Sequence, residues 1–249
     1  MFGKVSKNKL KEKIESVDKS TRPYYIKREF DVYRPKEGDN FIRILPPVGD
    51  EDDFSLDIYV HSYIGADRGS YLCREKVLGK SCAICNIYRK WKTQGRDEEA
   101  AKIATRRRTL FWVLDISDKP QSDKPLVFDA PYKQVAREIL MRCLDKRTKE
   151  VIDISDLKKG REITFTLHVK GNKMLSEYTG VSIGMEYPVS ADLAKYVVPL
   201  KEVLVIPKKE DIEELANMIV EFMSSEVNEE DSDVGADEES VKSKVSKIF

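Results

Sequence analysis

The stretch Phe41-Ile42-Arg43-Ile44-Leu45, halted by Pro46-Pro47, alternates as a half-buried β-strand does. Ile42 and Ile44 face one side, which is expected to be the core, and Arg43 faces the other. Alternation recurs at Leu56 to Tyr63 and Glu162 to Val169, and more weakly at Ser176 to Ile183, while Thr109 to Ile116 reads as a further strand. Short strands with long insertions between them point to an α+β protein that is mainly β. A small barrel with elaborations fits this spacing better than a parallel α/β sheet.

Helical periodicity fills the intervals. Leu10, Ile14 and Val17 lie on one stripe of a short amphipathic segment, 7–19. Cys85 to Ala104 reads as a long charged helix broken near Gly95. Tyr132 to Leu144 follows Pro131 and carries Val135, Ile139 and Cys143 on one face. Lys209 to Met223 follows Pro207, buries Ile212, Leu215 and Ile219, and opens with acidic residues that favour a helix N-terminus. Beyond Ser225 the composition collapses to Glu, Asp, Ser, Gly and Val, so a disordered tail is expected. Its end carries Val241, Val245 and Ile248 at helical spacing, as either plain tail sequence or a short docking peptide. The expected organisation is an N-terminal arm and helix over 1–28, a core over 29–224 and a tail over 225–249.

The 249 residues hold 44 basic and 44 acidic side chains, but the signs are segregated. Residues 210–239 carry 13 Asp/Glu and no Lys/Arg, and 240–249 carry three Lys, which leaves 41 basic against 31 acidic in 1–209. A basic body suits a polyanionic partner, and the acidic run is an internal competitor for it. No apolar run approaches the ~18 residues of a membrane span. The basic start, Met1 to Lys13, has no apolar stretch after it. Neither a membrane segment nor a secretory signal is therefore expected, and the chain reads as cytoplasmic.

Four cysteines in such a chain argue against a disulfide framework. His61, Cys73, Cys82 and Cys85 form H-x(11)-C-x(8)-C-x(2)-C. Three thiolates and an imidazole are a complete tetrahedral set for Zn²⁺, and Cys82-Ala83-Ile84-Cys85 lets two thiolates reach one ion from a tight turn. A full set leaves no position for a substrate water, so the expected ion is structural and stabilises a subdomain at about 60–104. Cys143 reads as core, and His168 receives no role.

Thr105-Arg106-Arg107-Arg108-Thr109-Leu110-Phe111-Trp112 places three guanidinium groups before an aromatic strand. Arginine forks suit phosphate oxygens and aromatic faces suit unstacked bases, a combination that an unpaired strand offers and a stacked duplex does not. Phe111 and Trp112 must point to opposite faces, so one is expected to be core and at most one a base platform. Arg43, Tyr71, Tyr132, Lys133, Lys170, Lys173 and Tyr178 are further candidates for the same groove.

The order Phe41-Ile42-Arg43-Ile44-Leu45-Pro46, His61, Cys73, Cys82-Ala83-Ile84-Cys85, Arg106-Arg107-Arg108-Thr109-Leu110-Phe111-Trp112 and an acidic tail resembles the single-stranded DNA-binding (helix-destabilising) proteins of T-even phages. The resemblance covers roughly residues 1–185. It implies an OB-fold barrel, a zinc-stapled subdomain on His61, Cys73, Cys82 and Cys85, and DNA contacts at Arg106, Arg107, Arg108, Phe111 and Trp112. It also implies a basic arm, with Lys4, Lys7 and Lys9, for head-to-tail self-association, and an acidic tail that contacts replication and recombination proteins; ending in Phe249, that tail also resembles the partner-recruiting tips of other single-stranded DNA-binding proteins, although three lysines beside it are atypical. The metal loops are slightly shorter than in that family, Phe111 stands where the family has tyrosine, and the arm is less densely basic.

The expected function is non-catalytic, largely sequence-independent binding of single-stranded DNA in replication, recombination and repair, in an infected host's cytoplasm if the chain is of phage origin. The alternative is a zinc-containing RNA-binding or transcription-associated adaptor, because no motif reports on the 2′-hydroxyl. A metal-dependent nuclease finds no support, because the sequence shows no Gly-rich phosphate loop and no carboxylate cluster beside a histidine, and its metal set has no vacancy.

Overall fold

A computed structural model describes residues 25–64, 69–145, 147–170 and 176–230, the last nine of these for their backbone alone. Seven strands form one sheet: β1 (Gly38–Ile44), β2 (Ser55–Ile64), β3 (Gly69–Leu72), β4 (Thr105–Asp115), β5 (Leu126–Pro131), β6 (Arg161–His168) and β7 (Glu177–Glu186). The order is β3-β2-β4-β1-β6-β7, with β5 also paired to β4, and β4 with β1, β1 with β6, β2 with β3, β4 with β5 and β6 with β7 all pair antiparallel. The fold is thus α+β and mainly sheet. The sheet is open: among the described residues no pairing joins β3 to β7.

The chain divides into two compact units. One comprises Lys27–Ile58 and Arg107–Leu204. Its core gathers Ile42, Ile44, Phe111, Val113, Phe128, Ile163 and Phe165 from the sheet with Val135, Ala136 and Ile139. Val135 and Ala136 come from a π-helical turn, Tyr132–Ala136, and Ile139 from the helix it runs into, α4 (Arg137–Arg142). Cys143 is buried in the same core. On the exposed side of β6 and β7, Thr164 meets Ser182 at 2.6 Å and His168 Nε2 meets Thr179 Oγ1 at 2.9 Å, cross-strand polar pairs that suit a solvated face.

The other unit contains Tyr59–Arg106 and the described part of Val205–Phe249. Here α1 (Arg74–Leu78), α2 (Ala83–Thr93) and α3 (Asp97–Ile103) lie in chain order between β3 and β4. Gly95, at φ 75°, separates α2 from α3 where the break was expected, and the first of the two helices already starts at Ala83, two residues before Cys85. The C-terminal helix α5 (Lys209–Glu230) packs Ile212, Leu215, Ala216 and Ile219 against Ile84, Trp91 and Ile103. It runs five residues beyond Ser225, where composition placed the start of disorder.

Two strands escaped the alternation test. β3 has only four residues, and β5 is buried at Leu126, Val127 and Phe128 in succession, which erases a period of two. β2 ends in a bulge: Ser62 pairs with Ser70 and Ile64 with Gly69, leaving Tyr63 as the extra residue at φ 61°. Lys4, Lys7, Lys9, Lys173 and Phe249, the helix at 7–19 and the tail from 231 onward lie outside the described residues.

Candidate metal centre and basic strand

Local structure brings the four metal-site candidates together. His61 projects from β2. Cys73 directly follows β3 and N-caps α1, accepting from the Lys76 N–H at 3.5 Å. Gly79, left-handed at φ 64°, closes α1 with Gly79 N to Glu75 O at 3.0 Å and Lys80 N to Arg74 O at 3.2 Å, which turns the chain back toward the knuckle. Cys82 then N-caps α2, and Cys85 follows within its first turn. Arg89 of α2 grips Glu75 of α1 through two parallel hydrogen bonds of 2.7 and 3.0 Å.

The four ligand atoms lie within 4.8 Å of one another, and all four residues are buried. Cys73 Sγ to Cys85 Sγ is 3.4 Å, and His61 Nε2 is 3.5 Å from Cys82 Sγ and 3.6 Å from Cys85 Sγ. A tetrahedral ion with metal–sulfur bonds of about 2.3 Å and metal–nitrogen bonds of about 2.0–2.1 Å needs ligand separations of about 3.6–3.8 Å. The cluster therefore could hold a metal ion. His61 Nδ1 lies 2.8 Å from the Ile103 carbonyl, so Nδ1–H donates there and Nε2 is the nitrogen turned to the sulfurs. Both knuckle cysteines sit at the N-terminus of α2, where helix N–H groups favour thiolate.

The arginine triplet occupies the N-terminal part of β4. Arg106 is exposed, and its guanidinium lies over the Tyr63 ring, 5.6 Å from the centroid. Arg107 lies over the Tyr132 ring at 3.6 Å and is ion-paired with Asp57, which also accepts from Thr109 Oγ1 at 2.6 Å. Arg108 donates through Nε to Asp129 Oδ1 at 2.8 Å and through Nη2 to the Asp129 carbonyl at 2.6 Å. Asp57 and Asp129 are counter-charges that the sequence did not reveal, because they lie on β2 and β5 and meet the arginines only through strand pairing. Lys133 is exposed on the π-helical turn beside Tyr132.

Three candidates are placed differently from expectation. Arg43 is fully buried. It donates to the carbonyls of Tyr187 at 2.8 Å, Ile154 at 2.9 Å and Ser155 at 3.4 Å, and also to those of Ile44 and Asp156. Burial lowers its pKa, and Asp153 and Asp156 oppose that shift. It is an internal cross-link, not a surface cation. Phe111 and Trp112 are both buried, so neither is a base platform. Phe111 packs in the core against Phe54 and Phe128, while Trp112 meets Phe30 edge-on at 5.7 Å and donates to the Val198 carbonyl at 2.8 Å. β4 is covered on both faces there.

The remaining candidates are dispersed. Tyr71 is half-buried opposite His61 on β3, packed against the core beneath the cysteines. Lys170 is exposed and paired with Glu177 at 2.6 Å. Tyr178 is half-buried against the sheet core, 5.9 Å from Phe165. No helix among the described residues is long and apolar enough to cross a membrane. No protein-family model matches the chain, and no curated protein matches it.

Proposed function

We propose that the chain is a non-catalytic protein that binds single-stranded DNA with little sequence preference, in replication, recombination and repair, and that His61, Cys73, Cys82 and Cys85 hold one structural zinc ion. The observation that carries this reading is the Arg107–Tyr132 pair, a guanidinium 3.6 Å over an aromatic ring. A cation beside a ring supplies what an unpaired nucleotide requires, attraction for the phosphate and a face for the base. Tyr132 begins a π-helical turn, a local distortion frequent at functional sites, and Lys133 adds a second positive charge there.

Three thiolates and one imidazole favour zinc over oxygen-seeking cations, and a closed ligand set suits a structural ion. The resemblance to an OB-fold belongs to the same proposal. β4, which serves β1, β2 and β5, is consistent with a strongly curled sheet. Partner recruitment by the tail and self-association through the N-terminal arm remain part of the proposal on sequence grounds.

The test is a titration of the full chain with oligo-dT, the matched duplex and matched RNA across a salt series. Preferential binding of oligo-dT is expected, with log affinity falling by about 0.7 per phosphate contacted for each tenfold rise in salt. Equal affinity for duplex, or binding that ignores salt, overturns the proposal. Preference for RNA moves it to the adaptor alternative.

A further inference from the structure

We propose that Tyr63 and Arg106 form a stacking platform for one unpaired nucleobase of a polynucleotide strand, presented by the β2 bulge beside the metal ligand His61. The inference rests on the single-strand reading above and adds to it a residue that neither the motifs nor the basic strand identified.

Tyr63 has φ 61°, in the left-handed region where a bulky side chain is an outlier and which glycine ordinarily supplies at a bulge of this kind. Among the described residues Lys149 is the other non-glycine at positive φ. The bulge divides three neighbouring side chains: His61 is fully buried, Ile64 is 3% exposed and Tyr63 is 38% exposed. A ring placed for packing would be inside, and a residue placed only for the turn would be Gly or Asn. Tyr63 is neither, and its exposed ring lies under a guanidinium. Ring and cation together match base and phosphate, and such stacking accepts any base. The Ile103 carbonyl orients His61 two residues before Tyr63, so the buried cluster holds the start of the bulge in place.

The test titrates the full-length wild type, Tyr63→Gly and Tyr63→Phe with oligo-dT at fixed salt and records each melting temperature. Tyr63→Gly is expected to melt no lower than wild type, since glycine accepts this backbone, yet to bind about 5- to 150-fold more weakly. Tyr63→Phe is expected to stay within about twofold of wild type, because the ring remains. If wild type binds and Tyr63→Gly binds equally, the platform is overturned while the function above stands. If wild type does not bind, both fall. Should the glycine variant melt early, irradiation of wild type with iododeoxyuridine-substituted oligo-dT decides. A crosslink on Tyr63 supports the platform, and crosslinks confined to other residues overturn it.

Discussion

Arg43 joins five main-chain carbonyls contributed by Ile44, Ile154, Ser155, Asp156 and Tyr187, and its planar fork is what lets one side chain reach them all. Gly160 completes the arrangement, because a Cβ there would overlap the guanidinium and the Asp156 carbonyl. Arg43→Met is expected to cost about 3–4 kcal/mol in urea denaturation, since it leaves several buried acceptors unpaired. Arg43→Lys is expected to recover little of that loss. Asp115 titrates against the fold in a predictable direction. Burial opposes its charge, but the Ser117 hydroxyl and the N–H groups of Gln121 and Ser117 outweigh burial and hold the carboxylate below its usual range. A depressed folded pKa contributes stability that is present above the unfolded value of about 3.9 and is lost as pH falls through the folded value. Asp115→Asn should therefore show a shallower acid-side loss of stability below about pH 4 in a melting-temperature series.

Among the elements, β4 shows why some of the chemistry was legible and some was not. The metal set could be read directly, because ligand type and spacing are local properties and turn geometry does the rest. Period two also located β1, β2, β6 and β7, each of which keeps a stretch of alternation, whereas β4 was read from its β-branched and aromatic run, being buried at Thr109 to Val113 in succession. What covers a strand's outer face is not local. Phe30 and Val198 close over Trp112, and residues 154–156 close over Arg43, from positions up to 113 residues away in the chain. Alternation therefore identified opposite faces correctly but could not show that both were inside. At the exposed end of β4, Arg107→Ala is expected to make the salt slope of oligo-dT binding shallower by about 0.7. Tyr132→Leu should weaken binding about 5- to 150-fold with little change in that slope. A fluorescence-anisotropy titration at several salt concentrations separates the two effects.

Across the whole molecule, the two tryptophans divide between the units: Trp91 lies in the core beside the cysteines and Trp112 in the core of the sheet unit. Both are buried, so neither can report by stacking directly on a base. They are instead separate reporters of the two cores. On the proposed zinc site, chelation should red-shift Trp91 emission, read in a Trp112→Phe background, and lower the melting temperature, because an ion there would tie β2, β3 and α2 together and its binding energy would contribute to folding. Added Zn²⁺ should reverse both changes, and Co²⁺ should give the visible absorption of a tetrahedral thiolate site. The unit that holds Trp91 is assembled from separated lengths of chain, 59–106 early and α5 late. During vectorial synthesis the ligands and the Ile103 carbonyl leave the ribosome long before Ile212, Leu215 and Ile219 exist to cover them. At 5–20 residues per second the wait is roughly 6–23 s. A nascent chain thus holds a complete set of thiols under an unfinished roof, so on the proposed zinc site ion capture would precede, and template, the final docking of the last helix.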